Sequence, residues 1–134
     1  MLDTNTCSFI IREKPLEVLQ TLYQKVREGH LIVISAITYT ELRFGAIGKK
    51  ARPKHGLLVD QFVERIDEIL PFDKVGVESA TRVKKVLSEQ GSPIGPNDTL
   101  IAGHALATDS VMITDNVKEF GRVPELRVEN WIKR

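Results

Sequence analysis

Apolar residues recur at helical spacing over much of the chain and in short unbroken runs elsewhere. Leu16, Leu19, Leu22, Tyr23 and Val26 predict a helix from Pro15 to Arg27. Pro15 suits its first position, and Gly29 suits its end. Leu31 to Ile34 is a continuous apolar run, the pattern of a strand buried on both faces of a parallel sheet. A helix beginning near Ile37 then carries Glu41 on its early turns, with Leu42 and Phe44 packing elsewhere. Gly45 to Gly56 reads as a basic loop. Leu58, Phe62, Ile66 and Ile69 predict an amphipathic helix ended by Pro71, and Val77, Ala80, Val83 and Leu87 another stopped by Gly91. Leu100, Ile101, His104 and Ala105 stripe a shorter helix that opens at Asn97-Asp98. Val111 to Ile113 and Leu126 to Val128 read as the last two strands. Met1 to Asp3 reads as a strand end, much shorter than the ~5–6 residues usual for a buried strand, unless the native start lies upstream. Strands alternating with helices predict a parallel α/β sheet covered on both faces.

Composition narrows the class without naming a chemistry. The 134 residues fit one domain over 1–134, and 42% hydrophobic with 28% charged residues is ordinary for a globular protein. No apolar run approaches the ~20 residues of a membrane span. The opening Met-Leu-Asp-Thr-Asn lacks the basic and apolar regions of a secretory signal. The single Cys7 excludes a disulfide framework and favours a reducing cytoplasm. A net charge of +1 says little about partners, because a local patch can dominate binding. His30, His55 and His104 lack zinc-ligand spacing, and no nucleophile elbow, Walker loop or dinucleotide fingerprint occurs. His104, on the apolar stripe of its helix, reads as a packed, hydrogen-bonded residue rather than a catalyst.

Four acids change the picture. Asp3, Glu41, Asp98 and Asp115 each lie where an apolar segment hands over to a turn or helix. In an open α/β sheet, such positions beyond the carboxyl ends of strands converge on one crevice. Carboxylates gathered there raise one another's pKa unless a multivalent cation neutralises them. Oxygen ligands without Cys or His suit Mg²⁺ or Mn²⁺, so the set predicts a metal-dependent enzyme acting on phosphate esters. Taken singly, each acid is also explained as a turn former, a helix cap or a solvated side chain.

The surrounding residues suit such a site. Thr4 or Asn5 would hydrogen-bond the Asp3 carboxylate and fix its orientation. Pro96 fixes the entry to the helix of Asp98, and the small residues Ala102, Gly103 and Ala105 predict close packing of that helix on the sheet. Thr114, Asp115 and Asn116 fall together at a strand's end. Lys49, Lys50, Arg52 and Lys54 form the densest basic cluster, read either as a solvated loop or as a candidate RNA-binding surface.

These motifs occur in a telling order: Leu-Asp-Thr-Asn, Thr-Tyr-Thr-Glu-Leu, Gly-Pro-Asn-Asp, Ile-Ala-Gly-His-Ala, then Ile-Thr-Asp-Asn followed by Glu-Phe. Nearly end to end, the chain resembles the PIN-domain nucleases, and within them the VapC-type toxins of bacterial toxin–antitoxin pairs. The resemblance implies a three-layer α/β/α sandwich with a central parallel sheet, and Mg²⁺ or Mn²⁺ in an acidic pocket. It further implies hydrolysis of RNA to 5′-phosphate and 3′-hydroxyl ends, a toxin dimer, and a VapB-type antitoxin that blocks the pocket. The family's three main acids fall on Asp3, Glu41 and Asp98. Its fourth often lies two residues after the Thr of the last motif, where this chain has Asn116, with Asp115 one residue earlier. Either Asp115 substitutes, or the Asn116 amide positions water. On this reading Asp3 and Asp98 hold the ion directly, Glu41 and either Asp115 or Asn116 contribute directly or through water, and Glu41 or Asp98 accepts the water's proton. The alternatives are a receiver-like regulatory domain, which Asp3 fits poorly for want of an acidic neighbour, and a non-catalytic metal- or RNA-binding module.

Overall fold

The first three residues join two short parallel ladders. In the computed structural model, which describes residues 1–133 and so omits only Arg134 of the expected domain, β1 (Val33–Ser35) pairs with β2 (Glu68–Leu70). On the other side β3 (Met112–Ile113) pairs with β4 (Val128–Glu129). Between them the Leu2 amide donates to the Val33 carbonyl at 2.9 Å, and the Ile113 amide donates to Met1 at 2.8 Å. The Asp3 amide returns a bond to Ile113 at 2.9 Å. The lateral order is thus β2, β1, residues 1–3, β3, β4, parallel within both ladders and at Leu2–Ile113. The opening strand is as short as expected, and it is bonded on both sides.

Side chains along these strands alternate between two cores, as a period of two requires. Leu2, Ile34 and Ile113 enter one core, with Cys7 of α1 (Thr4–Arg12), Val18 of α2 (Leu16–Arg27), Leu42 of α3 (Ala36–Ile47), and Val59 and Phe62 of α4 (His55–Arg65). Met1 and Met112 enter the other, with Val83 and Leu87 of α5 (Lys74–Glu89), Ile101 and Ala105 of α6 (Pro96–Ala107), and Phe120 of α7 (Val117–Phe120). Helices therefore cover both faces, giving the expected α/β/α layering.

Several boundaries differ from the sequence expectation. The apolar spacing through Ile66 and Ile69 does not continue the helix; α4 ends at Arg65 and the next residues become β2. Pairing with the sheet decides this: the Asp67 amide donates to the Ile32 carbonyl, and the Asp67 carboxylate accepts the Ile32 amide at 2.6 Å. The first ladder strand is shifted from the expected 31–34, leaving Leu31 75% exposed. Helix α3 runs through Gly45 rather than stopping there. Helix α1, unpredicted, is capped by Asp3 and ends at Glu13 in the left-handed conformation. Gly103 packs against α5 rather than against the sheet: a Cβ there would lie 2.3 Å from the Ala80 Cα.

Candidate active site

The chain's acids meet beyond the carboxyl ends of the central strands. Asp3 ends the opening strand and caps α1, its Oδ1 accepting the Thr6 amide at 2.8 Å. Its Oδ2 accepts from the Thr114 hydroxyl, just past β3, at 2.5 Å. The side chain is almost fully buried. Burial pushes its pKa up; the bonds from Thr114 and Thr6 oppose that, and the charge of Asp115 adds to the rise. One carboxylate thus satisfies a helix end and a strand end at once.

Glu41 lies on the second turn of α3, half-buried, with Oε1 accepting from the Thr4 hydroxyl at 2.5 Å. Asp98 is the third residue of α6, again half-buried. Its pKa is pushed up to about 6, first by burial, then by a hydrogen bond with Glu119 and by the charges of Glu119, Glu41 and Asp3. Two carboxyl groups can share a hydrogen bond only if one carries the proton. In the metal-free protein, Asp98 therefore holds its proton to a higher pH than an ordinary aspartate does. Glu119, on α7, is in turn held by the Asn116 side-chain amide at 2.9 Å, and the Asn116 backbone amide donates to Thr114 Oγ1 at 2.9 Å. A chain of bonds runs from Glu119 through Asn116 and Thr114 to Asp3.

The charges of Glu41 and Asp3 both act on Asp98, and that of Asp115 acts on Asp3, so these four acids lie within electrostatic reach of one another. Asp3 is held by Thr114 rather than by Thr4 or Asn5, and Thr4 holds Glu41 instead. Asn5 is exposed. Asn116 orients Glu119, the acid that sequence reading overlooked. Its signal was helical spacing: three residues after Asn116 it returns to the same face of one turn. Lys49, Lys50, Arg52 and Lys54 are all exposed on the turns between α3 and α4.

Among the described residues none of Asp3, Glu41, Asp98 and Glu119 forms an ion pair with Lys or Arg. The site is a partly buried anionic pocket of hard oxygen atoms, a donor set that fits Mg²⁺ or Mn²⁺. It is not a closed cage, since no three His, Cys, Asp or Glu side chains among the described residues are gathered tightly enough to hold an ion. An open set suits Mg²⁺, which keeps several waters and takes further oxygens from substrate phosphates.

Comparison with known proteins agrees with this geometry. The PIN domain family model matches residues 1–126. The chain is 36% identical over 131 residues to the tRNA(fMet)-specific endonuclease VapC of Salmonella typhimurium, covering 98% of this chain and 96% of the relative. It is 35% identical to ribonuclease VapC2 of Rickettsia felis, covering 99% and 98%. A chain in the crystal structure of Rickettsia felis VapBC2 bound to a promoter DNA fragment superposes with a TM-score of 0.90 at 33% identity, covering 98% of each.

Proposed function

The chain belongs to the PIN-domain family, and from that premise we propose that it is a Mg²⁺- or Mn²⁺-dependent endoribonuclease, the toxin of a cytoplasmic toxin–antitoxin pair, whose residues 1–134 form a single nuclease domain. The observation that carries this reading is the carboxyl of Asp98, pushed up to about 6 among Glu119, Glu41 and Asp3. Such crowding costs stability in an empty fold and becomes useful when a cation is shared. Bound among Asp3, Asp98, Glu41 and Glu119, the ion would acidify an attacking water and offset charge developing on the phosphate. The protein's own groups do the rest. Thr6 and Thr114 fix both oxygens of Asp3, Thr4 fixes Glu41, and Asn116 fixes Glu119, so the pocket needs little reorganisation when substrate arrives. Glu41 or Asp98 accepts the water's proton, and in-line attack leaves 5′-phosphate and 3′-hydroxyl ends. Asp115, at the rim beside Asp3, adds negative charge.

The relative from Salmonella typhimurium, named for tRNA(fMet), makes initiator tRNA the first substrate to test. The VapBC2 complex of Rickettsia felis supports a VapB-type antitoxin as partner; a toxin homodimer is part of the same reading. Phe44 and Ile47 of α3, 70% and 81% exposed, and Leu57 and Leu58 of α4 give a partner apolar surface on the helix that carries Glu41. The exposed lysines and arginine at 49, 50, 52 and 54 would hold the RNA backbone outside the acidic pocket. The test is incubation of purified protein with initiator tRNA and an unstructured RNA, in Mg²⁺, Mn²⁺ or EDTA. Wild type should cleave only with the divalent ion, and Asp98→Asn should lose at least about 100-fold in rate while folding normally. Full activity in a well-folded Asp98→Asn protein would overturn the assignment.

A further inference from the structure

Helices α3 and α6 face each other at two polar places. At one end the charge of Glu41 on α3 acts on Asp98 of α6. Six residues earlier on α3, Ser35 caps the helix; six residues later on α6 stands His104. Their side chains meet, His104 Nδ1 to Ser35 Oγ, at 2.7 Å. The two helices therefore run antiparallel, and the same six-residue step on each separates the acid from this second contact. His104 is 1% exposed and Ser35 fully buried.

The donors can be assigned by elimination. Ser35 Oγ already accepts the Ile37 amide at 3.0 Å. The His104 ring also bonds the Pro71 carbonyl, which only a ring N–H can satisfy. Burial keeps the ring neutral, with one proton. With that proton on Nε2 and turned to Pro71, Nδ1 is left to accept from the Ser35 hydroxyl, the direction the spectra described below test. The edge of Phe72 packs on the ring, with centroids 5.2 Å apart at 84°. His104 thus ties α6 to the start of α3 and to the residue just past β2.

We propose that the Ser35–His104 hydrogen bond is a positioning latch that sets the spacing of Glu41 from Asp98, and hence the affinity of the pocket for its divalent ion. It rests on the nuclease reading above. Neither residue is hydrogen-bonded to Asp3, Glu41, Asp98 or Glu119, so the effect passes through the two helices. A small displacement of a well-placed group costs up to about 100-fold in rate, which is the scale a loosened latch would draw on.

Three variants separate the latch from plain core packing. Gln at 104 places its amide near the old Nε2 and keeps the Pro71 bond, while Asn places its amide near Nδ1 and keeps the Ser35 bond. Mn²⁺ affinity without RNA, kcat and KM for RNA, and Tm are measured for Ser35→Ala, His104→Gln, His104→Asn and the Ser35→Ala/His104→Gln double variant. Activities are compared at equal distance below each Tm. Ser35→Ala and His104→Gln should each weaken Mn²⁺ binding about fivefold and lower kcat about tenfold with KM unchanged. The double variant should be no worse than the worse single one, and His104→Asn should recover most of the loss. Long-range ¹⁵N–¹H spectra of the metal-free wild type should show His104 protonated at Nε2. If the His104 variants do not fold, Ser35→Ala decides alone. Mn²⁺ affinity and kcat within twofold of wild type in folded Ser35→Ala would overturn the latch, as would additive losses that follow Tm. A wild type that neither binds Mn²⁺ nor cleaves RNA overturns the nuclease reading as well.

Discussion

Gly103→Ala is the smallest change that should displace Asp98 without touching the pocket. Gly103 lies five residues along α6 from Asp98, at the point where α6 crosses α5. A methyl group there would sit 2.3 Å from the Ala80 Cα, 2.5 Å from its backbone nitrogen and 2.7 Å from its Cβ. Carbon atoms pack at about 3.5 Å or more, so the helices must separate by at least about 1.2 Å. The obstacle is backbone, which cannot turn aside as a flexible side chain would. Over-packing of this kind costs about 1–3 kcal/mol and sometimes more. Alanine's better helix propensity returns about 1 kcal/mol. With backbone on both sides the upper end applies, leaving a net loss of about 2 kcal/mol and a fall in Tm of roughly 8 °C for a chain of this length. Ala80→Gly should rescue little, because it removes the Cβ contact and leaves the two shorter ones. Urea denaturation of the wild type, both single variants and the double variant measures the loss, and Mn²⁺ titration of the folded protein measures its reach to Asp98. A Gly103→Ala protein within about 0.5 kcal/mol of wild type would refute the close helix crossing.

Three further outcomes follow from the site. Between the ordinary Asp pKa of 3.8 and the value of about 6 in the fold, Asp98 binds its proton more tightly folded than unfolded. In EDTA its contribution to stability is therefore full below about pH 4 and lost as pH rises through 6. For a half-buried, solvent-screened carboxyl that loss is on the order of 1–2 kcal/mol. Denaturation of wild type and Asp98→Asn across this range isolates it, and a difference that grows with pH in the opposite sense would be contrary. Glu119→Gln should slow single-turnover cleavage more than Asp115→Asn, with Asn116→Ala milder than the former; the reverse order would restore Asp115 as the fourth ligand. Replacing Lys49, Lys50, Arg52 and Lys54 together should weaken RNA binding and reduce its salt slope by about 0.7 per lost phosphate contact, whereas an unchanged slope would leave the loop as solvated surface.

What the sequence made legible was what local spacing encodes. The 3.6-residue stripe of α5 and the Pro96 entry to α6 are local signals, and both elements stand where expected. The nearness of Asp3, Glu41 and Asp98 was legible because Asp3 ends a strand, Asp98 lies in the first turn of a helix, and Glu41 rides the helix that directly follows β1, in a fold whose rules place such ends together. The misses are non-local. Residues 66–70 carry a helical spacing that sheet pairing overrides through Ile32 and Asp67. Thr4–Arg12, rich in β-branched and short polar residues, has little helix propensity of its own and is held by the Asp3 cap and by burial of Thr6 and Cys7. Glu119 was missed because strand-end position alone pointed to Asp115; Glu119 reaches Asp98 from the single turn of α7, whose Phe120 is buried.

The way the acids are held bears on why the pocket stays negative. A buried carboxylate is commonly stabilised by Arg or Lys, which would cancel the charge an incoming cation needs. Here the holding groups are neutral: hydroxyls of Thr114 and Thr4, the Thr6 backbone amide, and the Asn116 side chain. Each hydrogen bond to an ionised group is worth about 1.5–3 kcal/mol, and it favours the charged form without neutralising it. These donors come from residues 4, 6, 114 and 116, flanking the two adjacent strands at the centre of the sheet. Orientation is therefore set by the most deeply bonded part of the fold, while Glu41, Asp98 and Glu119 arrive on helices that pack around it. Asp98, whose pKa is raised by burial and by the neighbouring acids Glu119, Glu41 and Asp3, has none of these neutral donors, and a divalent ion bound beside it would offset that repulsion.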